Sequence, residues 1–247
     1  MRALLIGFGE IGEGVHSILS NYHEIAIYDK NKAIEPAFKD NVEVLLVAIP
    51  WFPGHYDIEA MAAAENEPGF IDTIKAWQEE INPKATIVFS TVPIGTCKYL
   101  GAVHFPIEAK HPHIKRDLLL NRNCFMGGHN QIAEEFMQQA EFKFQVLDKP
   151  EHTEFLKLRS TAIYGVNLEF ARYCGKIAKE LDLDYDNVID YDKAYNILVM
   201  ERGTYEHVRY VLTPPEGMIG GHCVVPNAEI LNRAYPSPFL GEIIKKK

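Results

Sequence analysis

The opening stretch Met1-Arg2-Ala3-Leu4-Leu5-Ile6-Gly7-Phe8-Gly9-Glu10-Ile11-Gly12 constrains the fold more than any other part of the chain. Residues 3–6 have the character of a buried strand, the glycines follow with GxGxxG spacing, and Glu10–Leu19 carries apolar residues at helical intervals. A glycine at 7 permits a tight turn, one at 9 lets the backbone approach a ligand, and one at 12 lets helix and strand pack closely. The helix N-terminus presents free N–H groups and a positive dipole end, which suit a phosphate. Glu24–Tyr28 reads as the next strand, and Asp29 ends it at about the 20-residue offset of an acid that accepts from a ribose hydroxyl. Strand, turn, helix, strand and acid together predict a site for a dinucleotide pyrophosphate, lined by Gly7, Gly9, Glu10, Ile11, Gly12, Asp29 and Lys30. An acid at 29 repels a 2′-phosphate and so predicts NAD over NADP, while Lys30 and Lys32 soften that repulsion.

The alternation continues. Residues 42–49 form a third strand with the unbroken apolar run of a parallel sheet covered on both faces. Residues 70–80 read as helix and 85–90 as strand. Pro50, Ser90 and Thr91, at the ends of these strands, complete the expected cofactor-binding set. Residues 102–105, 124–126 and 142–147 are further strands, with a helix over Gln131–Gln139. The pattern predicts a Rossmann-type, doubly wound parallel α/β sheet. Near Lys149-Pro150 it changes: 151–181 reads as one long helix with no internal proline, followed by helix at 186–200 and 205–210 and a loop through Thr213-Pro214-Pro215-Glu216-Gly217. The expected organisation is an NAD-binding domain over 1–149 and a smaller, mostly helical domain over 150–247 for substrate and dimerisation.

The 247 residues carry a net charge of −9, which argues against a nucleic-acid partner. No apolar run is long enough to cross a bilayer and no signal-peptide pattern opens the chain, so a cytoplasmic protein with no membrane partner is expected. Cys97, Cys124, Cys174 and Cys223 show neither CxxC pairing nor zinc spacing, so free thiols and no metal are expected.

Three later segments narrow the chemistry: Ser90-Thr91-Val92-Pro93-Ile94-Gly95-Thr96, Glu154-Phe155-Leu156-Lys157-Leu158 and Gly220-Gly221-His222-Cys223. In this order, behind the glycine turn, they resemble the UDP-glucose/GDP-mannose dehydrogenase family, and the GGHC form is most similar to its UDP-N-acetylmannosamine dehydrogenase branch. The resemblance runs from Arg2 to about Pro226. It implies oxidation of a primary alcohol of a nucleotide sugar to a carboxylate by two NAD in succession, through a cysteine thiohemiacetal and thioester. It implies Cys223 as the nucleophile, Lys157 as the cation that steadies the oxyanion, Glu108 as the family's glutamate, and Thr91 as a contact to cofactor and water. Such chemistry needs a thiolate, a cation and a carboxylate. It also implies a homodimer built on the long helix.

The chain departs from the family pattern at several points. Thr161 stands where the family has asparagine one turn after the lysine, and remains a candidate substrate contact. Val224-Val225-Pro226-Asn227 replaces the acid after the cysteine with Asn227, and an extra residue separates Glu108 from Pro106. The family continues into a second nucleotide-binding domain, whereas this sequence ends 24 residues after Cys223. Either the sequence is a truncated piece or the protein is a reduced relative; the charged stretch 241–247 reads as a natural tail and favours the second, with a sugar or hydroxy-acid substrate that is nucleotide-linked or smaller, or a partner chain that completes the site. Lys110-His111-Pro112-His113-Ile114-Lys115-Arg116 is either an anion-holding segment or a solvated loop. Two other readings stay open: a two-electron dehydrogenase of β-hydroxyacid type, which needs the lysine but no cysteine, and a non-catalytic NAD-binding protein.

Overall fold

Parallel strands buried on both faces organise the first half of the chain. The computed structural model describes residues 1–51, 69–109, 113–120, 123–217, 219 and 223–245. Within them, β1 (Arg2–Ile6), β2 (Glu24–Tyr28), β3 (Val44–Val47), β4 (Ala85–Val88) and β5 (Val103–His104) lie side by side in the order β2-β1-β3-β4-β5, all parallel. Every residue of β3 and β4 is buried, as the apolar runs VLLV and ATIV require. β6 (Asn123–Gly127) pairs antiparallel with β5, and β7 (Lys143–Leu147) parallel with β6. The seven-stranded sheet is therefore Rossmann-type, with one reversal that the apolar pattern did not reveal. β2 and β3 flank β1 on opposite sides, which makes the carboxyl end of β1 a topological switch point.

The helices of this half are α1 (Glu10–Leu19), α2 (Phe70–Ile81), α3 (Thr96–Tyr99), α4 (Ile114–Leu120) and α5 (Gln131–Gln139). α2 buries Phe70, Ile71, Ile74 and Trp77, a single stripe at helical spacing. Asn130 caps α5 by accepting from the Ala133 N–H at 3.1 Å. At the centre of the core, Phe105 is fully buried and meets Phe89, Phe142 and Phe144 edge-on at centroid distances of 6.1, 5.8 and 5.6 Å.

The second half is helical: α6 (Pro150–Glu180), α7 (Asp186–Glu201), a 3₁₀ turn at Tyr205–His207, α8 (Val224–Ala234) and α9 (Pro238–Ile244). The chain divides into two compact units, Met1–Lys157 and Leu158–Lys247, so the opening turns of α6 belong to the first and its remainder to the second. In the second unit Ala162, Ile219, Val224, Ala228, Leu240 and Ile243 form the core. Gly165 of α6 admits Val224 and Ile243, side chains that a Cβ there would meet at 2.8 and 2.9 Å.

Two expectations are corrected. Residues 205–210 are not a helix beyond one 3₁₀ turn, because Asn196 claims the backbone of Arg209 on both sides: its Oδ1 accepts from the Arg209 N–H at 2.8 Å and its Nδ2 donates to the Arg209 carbonyl at 2.9 Å. The stretch read as a charged tail is mostly α9, which starts with Pro238 in its first turn and buries Leu240 and Ile243; Lys246 and Lys247 lie outside the described residues. The basic segment runs into α4, which packs on α1: a Cβ on Gly14 would meet Ile114 at 2.7 Å. Among the described residues no helix is long and apolar enough to cross a membrane, and no cluster of side chains fits a metal ion.

Phe105→Ala is expected to lower the free energy of unfolding by about 3–5 kcal/mol. Phe125→Ala, on the exposed face of β6, should change it by about 0.5 kcal/mol or less. Urea titration of the two variants checks the contrast.

Candidate functional site

The carboxyl ends of the parallel strands lead into Gly7, Asp29, Ala48 to Pro50, Ser90 to Thr91 and Phe105 to Glu108. Gly7 has φ +91°, and a Cβ there would lie 2.8 Å from the backbone of Ala48 and Ile49. A Cβ on Gly12 would lie 2.1 Å from the Gly7 carbonyl oxygen. Gly9 faces open space, with nothing within 4 Å of its would-be Cβ, and it is the N-cap of α1 without a side-chain cap. Gly9, with no side chain, keeps the approach to the start of α1 clear. Glu10 is exposed in that first turn, and Ile11 packs its side chain against the core.

Asp29 accepts from the Phe8 N–H at 2.6 Å and the Lys32 N–H at 2.9 Å. Partial burial pushes its carboxyl pKa up, but the N–H groups of Phe8, Lys32 and Asn31 and the Lys32 charge outweigh this and hold it below the usual value. The group is an ionised acceptor tied to the glycine turn itself. Lys32 pairs with Glu13 at 2.5 Å and holds its ammonium 5.2 Å from the centre of the Phe8 ring, while Lys30 and Pro50 are exposed. These features fit a dinucleotide: a clear approach at the pyrophosphate position and an anionic acceptor beside it.

At the end of β4, Ser90 donates its hydroxyl to the Ile49 carbonyl at 2.6 Å, joining β4 to β3. Its own carbonyl lies 3.1 Å from Nε2 of His104, which is fully buried in β5. A carbonyl only accepts, so Nε2 carries the proton, and Nδ1 of the neutral ring is left to accept from the Thr153 hydroxyl at 2.9 Å. Burial pushes the His104 pKa down to about 3, the Ser90 carbonyl opposing and the Lys157 charge assisting. Next to Thr153, Glu154 is 1% exposed and accepts from the N–H groups of Gly95 and Cys97 at 2.6 and 2.7 Å. Thr91 is half-buried between these two holds.

Lys157 lies one turn further along α6. Its ammonium donates to the Ile107 carbonyl at 2.6 Å and pairs with Glu108 at 3.4 Å. The lysine side chain is 14% exposed against 56% for the glutamate, so this is a covered cation at the strand ends and not a solvated helix lysine. Lys157 and Glu108 are brought together. In the second unit, Thr161 donates to the Leu158 carbonyl at 3.0 Å and accepts from Nδ2 of the buried Asn227 at 3.1 Å. Cys223 is half-buried at the N-cap of α8, and its carbonyl accepts from the Asn227 N–H at 3.1 Å. Gly220, Gly221 and His222 lie outside the described residues, as do Lys110, His111 and Pro112 of the basic segment. All four cysteines are free thiols. Burial pushes Cys97 well above its ordinary pKa, and pushes Cys124 up to about 11, which keeps both protonated.

Sequence reasoning missed His104, Thr153 and Ala48. His104 sits in a strand read as apolar, and nothing local marks it; Glu154 was noted in its segment but without a task.

No family model and no curated protein matches the sequence. Solved structures do. A UDP-D-ManNAc dehydrogenase from Pyrococcus horikoshii aligns over 99% of this chain and 67% of its own, with TM-score 0.75 and 17% identity. This chain shares that structure's fold. A UDP-glucose dehydrogenase from Pyrobaculum islandicum aligns over 98% of this chain and 67% of its own, with TM-score 0.68 and 16% identity. A 3-hydroxyisobutyrate dehydrogenase from Mycobacterium tuberculosis aligns over 98% and 91%, with TM-score 0.67 and 10% identity. The chain thus spans two thirds of the nucleotide-sugar dehydrogenases and nearly all of the hydroxyacid enzyme.

His104 resists protonation in the folded protein down to about pH 3, whereas its ordinary value is 6.5. The stability tied to the neutral ring is complete above pH 6.5 and is lost as pH falls toward 3, at up to about 1.4 kcal/mol per pH unit. His104→Gln removes that titration. The stability gap between wild type and variant is expected to narrow by about 2–3 kcal/mol from pH 6.5 to pH 4, read by urea unfolding at each pH.

Proposed function

We propose that the protein is an NAD-dependent oxidoreductase that oxidises an alcohol carbon of a sugar, nucleotide-sugar or hydroxy-acid substrate. The observation that carries this reading is the glycine turn with Asp29 bonded into it, on a dehydrogenase fold whose strand ends also hold the covered Lys157–Glu108 pair. Gly7, Gly9, Glu10, Ile11 and Gly12 would receive the pyrophosphate on the first N–H groups of α1. Asp29, with Lys30 beside it, would accept from the adenosine ribose. Pro50, Ser90 and Thr91 would line the path toward the reacting end. NAD, when bound, supplies the acceptor for the hydride.

Lys157 would steady the charge that develops on the substrate oxygen as its proton leaves, and Glu108 would hold that ammonium and share in proton transfer. Cys223 would add as thiolate to the aldehyde carbon, giving a thiohemiacetal whose oxidation, with its hydride passing to a second NAD, yields a thioester. Water then releases the carboxylate and returns the thiol. Thr161 would hold a substrate oxygen.

A second reading has its own support. The two-electron oxidation of a hydroxy acid needs Lys157 and no cysteine, and the chain spans 91% of a hydroxyacid dehydrogenase. We further propose a homodimer. The part of α6 beyond Lys157 and all of α7 leave Phe170, Tyr173, Tyr191 and Ile197 exposed by more than half, an apolar surface that a second copy would cover.

Asp29→Ala is expected to weaken NADH binding about 10- to 100-fold, the value of a charge-assisted hydrogen bond in a covered site, read by fluorescence titration. In a screen of sugar, nucleotide-sugar and hydroxy-acid alcohols, Cys223→Ser should lose the second NADH per substrate. Unchanged steady turnover in that variant overturns the thioester route and leaves the two-electron reading. Sedimentation at micromolar concentration should show a dimer, and a 28.0 kDa species would refute it.

A further inference from the structure

We propose that Glu154 is a positioning residue: with its neighbour Thr153 acting through His104, it holds the segment after β4 in the shape that receives the nicotinamide half of the dinucleotide. This rests on the dinucleotide reading above and adds to it a residue that neither the glycine turn nor the reactive groups supply.

The segment from Ser90 to Cys97 leaves the sheet and turns into α3. Its two ends are held by adjacent residues of one helix. At the near end, the Ser90 carbonyl accepts from His104, and His104 accepts from the Thr153 hydroxyl. At the far end, the Glu154 carboxylate takes the N–H groups of Gly95 and Cys97, the N-cap and the second residue of α3. Gly95 has φ +96°, a conformation that glycine adopts without strain and that the carboxylate fixes from outside. Thr91 is suspended between the two grips. One turn along the same helix stands Lys157. The opening of α6 therefore sets Thr91 and Lys157 in one frame.

A carboxylate buried to this degree is a demanding way to make a helix pack. It forfeits hydration, and the two N–H bonds that it accepts offset that cost. What it provides is directional: two backbone N–H groups taken at 2.6 and 2.7 Å define one conformation of the turn. The location says which half of the ligand would notice. Asp29 ends β2, on one side of β1, whereas the Glu154-held segment ends β4, two strands away on the other side. At about 4.8 Å per strand this is roughly 10 Å from the pyrophosphate position. A ligand whose adenosine sits at Asp29 and whose pyrophosphate sits at α1 reaches the β4 end only with its nicotinamide riboside.

The test uses two ligands that share the adenosine and the pyrophosphate. ADP-ribose engages the glycine turn and Asp29; NADH engages these and the β4 end. In Glu154→Gln one acceptor oxygen is replaced by an NH₂ that faces an N–H donor. The NADH dissociation constant is expected to rise about tenfold while that of ADP-ribose stays within about twofold, and the fluorescence of bound NADH should lose its enhancement. Equal weakening of both ligands, or no change in either, overturns the inference. If wild type binds neither ligand, the dinucleotide reading itself falls and this one with it; wild-type binding with an unaltered variant sinks only the role of Glu154. Should Glu154→Gln fail to show a cooperative thermal transition, Thr153→Val carries the test. It should weaken NADH about threefold or more with ADP-ribose unchanged, and Thr153→Ser should restore wild-type binding. A Thr153→Val protein that binds both ligands as wild type does overturns the proposal.

Discussion

Between the Gly7 carbonyl and the Cα of Gly12 there is no room for a side chain, and much of the first unit follows from that contact. A Cβ at 12 would stand 2.1 Å from the Gly7 oxygen. The contact draws the first turn of α1 onto the end of β1, and with it the N–H groups that no intrahelical carbonyl can satisfy. Phe8 is then presented to Asp29, which closes the turn from the end of β2. Gly9, between them, has open space where Gly7 and Gly12 have none. The three glycines therefore do different physical work: two permit close packing within the protein, and one keeps the approach clear.

The elements whose cause is local were legible in the sequence. The bounds of α1 and α5 agree with the apolar spacing that defines them, and β3 and β4 show the full burial that their continuous apolar runs imply. What periodicity does not encode was not legible. The reversal at β6 depends on which way the chain returns after α4, and a three- to five-residue strand reads alike in either direction. The stretch after the 3₁₀ turn carries apolar residues at helical intervals, yet a side chain from α7 supplies the partners its backbone needs. α8 and α9 are short, and their burial comes from each other and from α6.

The candidate site divides the same way. Gly7, Gly12 and Asp29 announce themselves because their tasks are backbone tasks at fixed spacing. Lys157 and Glu108 are far apart in the chain, and only folding the opening of α6 against the β5 end brings them to 3.4 Å. His104 had no signal at all. Within a strand it looks like an interruption, and its role depends on two residues it meets only in the folded state.

The electrostatics around that histidine explain how a lysine can be held near it. A charged imidazole in β5 would repel Lys157; the buried ring is neutral, and the lysine charge itself helps to keep it so. His104 can then pass a hydrogen bond from Thr153 to Ser90 without adding charge to the site. Glu154, one turn before Lys157 and nearly as buried as the histidine, has its charge shared among two N–H donors and leaves Glu108 as the acid paired with the ammonium. The opening of α6 thus contributes a hydroxyl that bonds His104, a carboxylate that bonds Gly95 and Cys97, and an ammonium that bonds Ile107. Its helical spacing fixes their separations, so the positions of Ser90, Gly95 and Ile107 are set against one another by a single rigid element.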